Sequence, residues 1–323
     1  MNFYESFQRK IFRINSSNFD ECALSLFEYQ FNTNETYRSY CELLSKNPSN
    51  VFHCSQIPFL PIDCFKNHEI RSETWQEEII FYSSGTTNSG RSKSFVRNVS
   101  FYHKVAKACF EHTYGSLLEH KIIALLPSYL EQPNSSLISM VQSFITHSME
   151  GSGFYSLEEL TKQPELLAAS TLLLGVSYAL LDLAAIDHKW NNPELIVMET
   201  GGMKGRRKEM LREELHDHLK AAFNVPEIHS EYGMCELSSQ SYAKKEGVFI
   251  PPQWMKIIIR DMNDPFNILG NNQSGGVNII DLSNISTCAF IETKDIGQVT
   301  ESNEFRILGR MDNSDIRGCN LLI

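Results

Sequence analysis

Apolar residues in this chain follow two different rhythms. Residues 1 to about 75 carry helical spacing, with Cys22, Leu24, Leu26 and Phe27 inside Phe19–Gln30 and Tyr37, Tyr40, Leu43 and Leu44 inside Thr36–Ser45. Pro58, Pro61 and Asp63 then mark an irregular connection. From Glu78 on, short apolar runs alternate with amphipathic stretches. The runs predict strands at Ile79–Ser83, Ile122–Leu126, Thr171–Leu174, Leu195–Glu199 and Glu227–Ser230. The stretches predict helices at Ser100–Leu118, Ser135–His147, Tyr178–His188 and Arg207–Phe223. This alternation predicts an α/β fold, a mainly parallel sheet flanked by helices on both faces. After about Pro251 the pattern shortens. Met255–Arg260, Gly276–Asp281, Ala289–Ile291, Gly297–Thr300 and Phe305–Leu308 read as strands of a small antiparallel, barrel-like unit. The predicted division is a helical N-terminal segment (1–75) packed on the core, an α/β core (76–250) and a small β subdomain (251–323).

Composition narrows the classes without choosing a chemistry. With 42% hydrophobic and 21% charged residues the 323-residue chain reads as globular. Its net charge of −10 and the lack of a basic stripe argue against a general nucleic-acid partner. The start, Met1-Asn2-Phe3-Tyr4-Glu5-Ser6, does not read as a leader peptide, and the apolar run Thr171–Ile186 is too short to span a bilayer. The eight cysteines show no C-x-x-C spacing, which argues against a zinc site or disulfide framework and suits a reducing cytoplasm.

Chemistry first becomes legible after the run Glu78–Tyr82. There stands Ser83-Ser84-Gly85-Thr86-Thr87-Asn88-Ser89-Gly90-Arg91-Ser92-Lys93. Glycines allow close backbone approach, and hydroxyls with successive N–H groups can cradle phosphate oxygens. Arg91 and Lys93 add positive charge. A surface turn is the competing reading. So is the pattern G-x-x-x-x-G-K-[ST], from which Gly85–Ser92 differs by Arg91 in place of lysine. That pattern needs a helix to begin inside the loop, whereas Ser94–Arg97 reads as a strand.

Further motifs follow in order. Ser83–Thr87 resembles the S-S-G-T-T phosphate loop of the adenylate-forming ligase superfamily, and Tyr232-Gly233-Met234-Cys235-Glu236 resembles its Y-G-x-T-E motif. Thr293-Lys294-Asp295-Ile296-Gly297 resembles T-x-D-x-G, and Gly309-Arg310-Met311-Asp312 resembles the G-R-x-D hinge. The departures are Asn88 for glycine and Cys235 for threonine. Phe81–Thr87, Leu126–Glu131, Glu199–Lys204 and Arg317-Gly318-Cys319 are similar to the acyl-protein synthetase (LuxE) family, which includes the fatty-acid ligase of bacterial luminescence. The stretches Leu26–Gln30 and Ile57–Ile62 fit as well, so the resemblance covers nearly the whole chain.

This resemblance implies ATP and Mg²⁺ as cofactors and a carboxylic, in particular fatty, acid as substrate. It implies activation to an acyl-adenylate, then a thioester on Cys319 for delivery to an acyl-accepting reductase or transferase. The implied nucleotide site comprises Ser83, Ser84, Gly85, Thr86, Thr87, Arg91, Gly201, Gly202, Tyr232, Gly233, Cys235, Asp295 and Arg310. Glu236 is the implied metal ligand, and Lys93 and Lys204 the implied catalytic cations. The usual lid domain beyond the hinge is expected to be missing, as in that family. Two alternatives stand beside this reading: a coenzyme A ligase of the phenylacetate-ligase type, and a non-catalytic nucleotide-binding subunit.

Overall fold

The computed structural model describes residues 2–83, 90–127, 134–167, 170–186, 190, 192–201 and 210–311. Among them the strands are, in chain order, β1 (Leu60–Pro61), β2 (Ile79–Tyr82), β3 (Lys93–Val96), β4 (Lys121–Leu125), β5 (Gly153–Phe154), β6 (Thr171–Val176) and β7 (Ile196–Thr200). They continue with β8 (Ile228–Tyr232), β9 (Ser241–Ala243), β10 (Met255–Arg260), β11 (Gly275–Asp281), β12 (Phe290–Val299) and β13 (Phe305–Arg310). The chain divides into two compact units. Met1–Thr74 and Gln253–Ile323 form the first, and Trp75–Pro252 the second.

In the first unit, β1, β12, β11 and β10 lie side by side and β13 pairs with β12. Pairing is antiparallel except for β1, which runs parallel to β12 with Leu60 opposite Ile291. The N-terminal helices are fastened to this sheet's connections by buried polar groups. Gln30, on the helix Phe19–Thr33, is fully buried. Its Nε2 donates to the carbonyls of Asn284 (2.8 Å) and Ile285 (3.2 Å), while its Oε1 accepts from the N–H of Ala289 (2.9 Å). Asn34 caps the helix Glu35–Leu43 through the Tyr37 N–H and donates to the Thr287 carbonyl. Satisfying these groups internally removes the cost of burying them. A further helix, Phe3–Lys10, which the apolar spacing did not single out, is capped by Asn2.

The second unit holds a six-stranded sheet in the order β5-β4-β6-β7-β8-β9, parallel throughout except for β9 at the edge. Every residue of β6 is buried, the continuous apolar run expected of a strand covered on both faces. The α/β fold with parallel strands and flanking helices agrees with the sequence reading. The strands β2 and β3 form a separate antiparallel hairpin.

Element ends differ in instructive places. The helix expected over Ser100–Leu118 runs Val99–Tyr114, because Gly115 takes φ +81° and ends it. The expected strands Ala289–Ile291 and Gly297–Thr300 are one strand, β12, interrupted by a register slip rather than a turn. The polar run Glu292–Asp295 looks like a break, but Thr293 at its middle is satisfied inside the sheet. Thr293 Oγ1 donates to the Val277 carbonyl (2.7 Å), and the Thr293 carbonyl accepts from Arg260 Nη2 (2.7 Å). The helices expected to end at His188 and begin at Arg207 are described as Ser177–Ala184 and Arg212–Phe223. His188 and Arg207 lie outside the described residues.

Candidate functional site

In a parallel sheet the strand ends align, and the loops that leave them share one edge. Here Leu125 is level with Gly175, Val176 with Thr200, and Thr200 with Glu231. Gly201 and the Tyr232–Gly233 pair therefore emerge side by side. The Gly201 carbonyl accepts from Ser177 Oγ (3.0 Å), which ties the end of β7 to the start of the helix after β6.

The hairpin β2–β3 closes its own loop at the base. The Ser83 N–H donates to the Ser92 carbonyl (3.1 Å), and the Ser92 N–H donates to Ser83 Oγ (3.0 Å). Lys93, exposed, opens β3 opposite Tyr82, and Arg91 is exposed beside it. A strand, not a helix, thus follows the loop, so the helix-opening requirement of the G-x-x-x-x-G-K-[ST] pattern is not met. The Tyr82 N–H donates to the carbonyl of Asn134 (3.1 Å), just ahead of the helix Ser136–Thr146. Ser84, Gly85, Thr86, Thr87, Gly202, Lys204 and Cys319 lie outside the described residues, as does Asp312.

Cys235 and Glu236 occupy a turn after β8 and are both buried, at 7% and 4% exposure. Burial, and then the neighbouring Glu236 carboxylate, push the Cys235 thiol well above the usual thiol range. It is held as a thiol that donates to Glu236, the opposite of an activated nucleophile. Tyr232 stacks obliquely near Phe249 (5.7 Å between ring centres), and the Arg212 guanidinium lies over that same Phe249 ring (5.2 Å).

Sequence reasoning missed the carboxylates beneath this edge. Glu231 is desolvated, and burial raises its carboxyl to about pH 7, with Glu199 adding to the rise and the Thr200 hydroxyl opposing it. Thr200 Oγ1 donates to Glu231 Oε2 (2.5 Å). Glu199, one residue earlier on β7, faces Arg212 Nε (3.6 Å), His216 Nε2 (3.6 Å) and Ser177 Oγ (3.5 Å). A Cβ on Gly233 would stand 2.6 Å from Glu231 Oε1, so any larger residue there must displace the carboxylate. His229, two residues before Glu231, accepts or donates at 2.9 Å with the Tyr114 hydroxyl, and burial lowers its imidazole to about pH 4. The available signal was the pair Glu199 and Glu231, two carboxylates at the ends of neighbouring apolar runs.

Asp295 and Arg310 belong to the first unit. They are opposite each other on β12 and β13, with Arg310 Nε 4.0 Å from Asp295 Oδ1. The slip in β12 pairing with β11 falls between Glu292 and Ile296, the stretch that carries Asp295. In the same unit Asp20, His53 and Cys54 bring a carboxylate, an imidazole and a thiol within 4.8 Å of one another. The Lys256 ammonium already fills that cluster, 3.4 Å from Asp20 Oδ1 and 3.5 Å from Cys54 Sγ, which opposes a metal ion. The seven cysteines among the described residues are free.

No protein-family model matches the chain, and no curated protein does. Solved structures do. A 2-hydroxyisobutyryl-CoA ligase in complex with 2-HIB-AMP and CoA superposes with a TM-score of 0.68 at 12% identity, over 93% of this chain and 72% of that one. ATP-bound MatB from Rhodopseudomonas palustris gives 0.53 at 16% identity, over 72% and 47%. The o-succinylbenzoate coenzyme A synthetase MenE from Bacillus subtilis, in complex with AMP, gives 0.51 at 16%, over 73% and 49%. The chain thus spans about half the length of MatB and MenE. At these identities the likeness is one of fold alone.

Proposed function

We propose that the protein activates a carboxylic acid with ATP as an acyl-adenylate and passes the acyl group to a thiol. The observation that carries this reading is the alignment of Gly201 with Tyr232 and Gly233 on one sheet edge. Four motifs occur in ligase order on a ligase fold. In the first step a carboxylate oxygen attacks the α-phosphorus and pyrophosphate leaves. Arg91, Lys93 and the loop hydroxyls Thr86 and Thr87 would meet the charge that develops on the phosphate oxygens. Asp295 and Arg310 would hold the ribose hydroxyls, a task suited to an ionised acceptor. Glu236 suits Mg²⁺, which binds through one or two carboxylates together with substrate phosphates and there neutralises their charge. The thiol of Cys235, being protonated, donates to that carboxylate and does not compete for a cation.

In the second step a thiolate attacks the acyl carbonyl and AMP leaves. Cys319 is the proposed carrier, delivering to a reductase or transferase, with a fatty acid as cargo. Cys235 is poorly suited to carry the acyl group instead, being buried with its thiol pushed strongly up. Coenzyme A as acceptor is the second reading, favoured by fold neighbours whose own structures hold it. Pyrophosphate exchange over a panel of carboxylic acids tests the first step, with AMP as the expected product. ADP in its place, or no exchange with any acid, refutes adenylation. Labelling with a radioactive acid then separates the acceptors. A hydroxylamine-sensitive protein label lost in Cys319→Ser supports the carrier, and release of acyl-CoA without a label refutes it.

A further inference from the structure

The first unit contains a cleft of about 360 Å³ that the ligase reading does not use. Its walls include Leu44, Ile57, Phe59 and Phe266, and Phe266 is 66% exposed at the mouth. Neither Asp295 nor Arg310 is among the described residues that line it. Inside it are Glu292, on the central strand β12, and Tyr40, on the helix Glu35–Leu43.

Glu292 is an incompletely answered carboxylate. Its side chain is only 26% exposed, and its one ion pair among the described residues, with Arg260 Nη2, is loose at 3.5 Å. Arg260 is committed elsewhere. It donates to the Val277 carbonyl (3.0 Å), Asn278 Oδ1 (2.8 Å) and the Thr293 carbonyl (2.7 Å). No hydrogen bond from the described residues reaches either Glu292 oxygen or the Tyr40 hydroxyl. Burial raises the Glu292 carboxyl against the pull of Arg260, and burial with the Glu292 charge raises Tyr40. A half-desolvated carboxylate gains from any donor that enters its cleft, and a charged donor gains most.

We propose that this cleft binds a small amphipathic amine, its protonated nitrogen against Glu292 and Tyr40 and its alkyl or aryl body between Leu44, Ile57, Phe59 and Phe266. The volume lies at the small end of ligand pockets, which sets the size at a monocyclic arylalkylamine. Lys46 also lines the cleft and repels such a ligand, so its charge gives a test of opposite sign.

The experiment is calorimetric titration of the full chain with 2-phenylethylamine, 2-phenylethanol and 3-phenylpropionate, which share a body and differ in charge. The amine is expected to bind at least tenfold tighter than the other two. Glu292→Gln is expected to weaken the amine at least tenfold and leave the alcohol unchanged. Lys46→Met, on a partly exposed side chain, is expected to tighten the amine several-fold, and it keeps the test alive should Glu292→Gln fail to fold. Equal binding of amine and alcohol overturns the proposal. So does tighter binding of the carboxylate, or an amine affinity indifferent to Lys46→Met.

Discussion

Replacing Glu231 by glutamine should change how stability depends on pH, and the structure gives the size. The carboxyl moves from an ordinary 4.5 to about 7 on folding, a span of about 2.5 pH units. At 1.36 kcal/mol per unit this is about 3 kcal/mol. The folded state binds the proton more tightly, so the stabilisation is complete below pH 4.5 and is lost as pH rises to about 7. His229 acts in the other direction. Its imidazole falls from 6.5 to about 4, so its contribution is complete above pH 6.5 and is lost as pH falls to about 4, by a similar amount. Between pH 4.5 and 6.5 the two slopes cancel in the native sequence. Glu231→Gln keeps an acceptor for the Thr200 hydroxyl but no longer titrates, so it should uncover the rising limb of His229. Urea unfolding followed by tryptophan fluorescence reads this, since Trp75 and Trp190 both lie in the second unit. The variant should gain about 3 kcal/mol on the native protein between pH 4.5 and 7. Contributions from Glu292 and other carboxyls drop out of that difference. Stability curves that run parallel would refute the burial argument for Glu231.

Other outcomes follow from the same geometry. Glu236→Gln and Asp295→Ala should each slow pyrophosphate exchange by roughly 10- to 150-fold, the loss of a charge-assisted contact of about 1.5–3 kcal/mol. Asp295→Ala should change the unfolding free energy by less than about 1 kcal/mol, because its Arg310 partner is 66% exposed. Gly233→Ala should destabilise by about 1–3 kcal/mol, since the carboxylate in its way is itself tied to Thr200. Pairing it with Glu231→Ala should restore much of that loss, and a fully additive double variant would contradict the clash.

Legibility in the sequence tracked what each residue answers to. The strands of the second unit were readable because runs such as Thr171–Leu174 are apolar on both faces. The helix Ser136–Thr146 was readable because Ser135 caps it from the next residue. Long-range causes left no local mark. Glu292–Asp295 reads as a break because the partners of the Thr293 carbonyl and hydroxyl, Arg260 and Val277, lie more than a dozen residues away. Glu231 carries no mark of burial in the residues around it. Only the register of β7 on β8 buries it against Thr200. The motif residues Tyr232, Gly233 and Glu236 were visible because their spacing is itself the signal.

The first unit is built from both sides of the second, and this sets a timetable for synthesis. Gln30 needs Asn284, Ile285 and Ala289 before its amide is satisfied, and Leu60 needs Ile291. Roughly 180 residues of the second unit leave the ribosome in between. At about 5–20 residues per second the early helices wait on the order of ten to thirty-five seconds with their apolar stripe uncovered. The contiguous second unit can fold during that interval. The nascent chain is therefore most vulnerable at these early helices, and holdase chaperones should crosslink to Phe19–Thr33 until Phe290–Val299 has emerged.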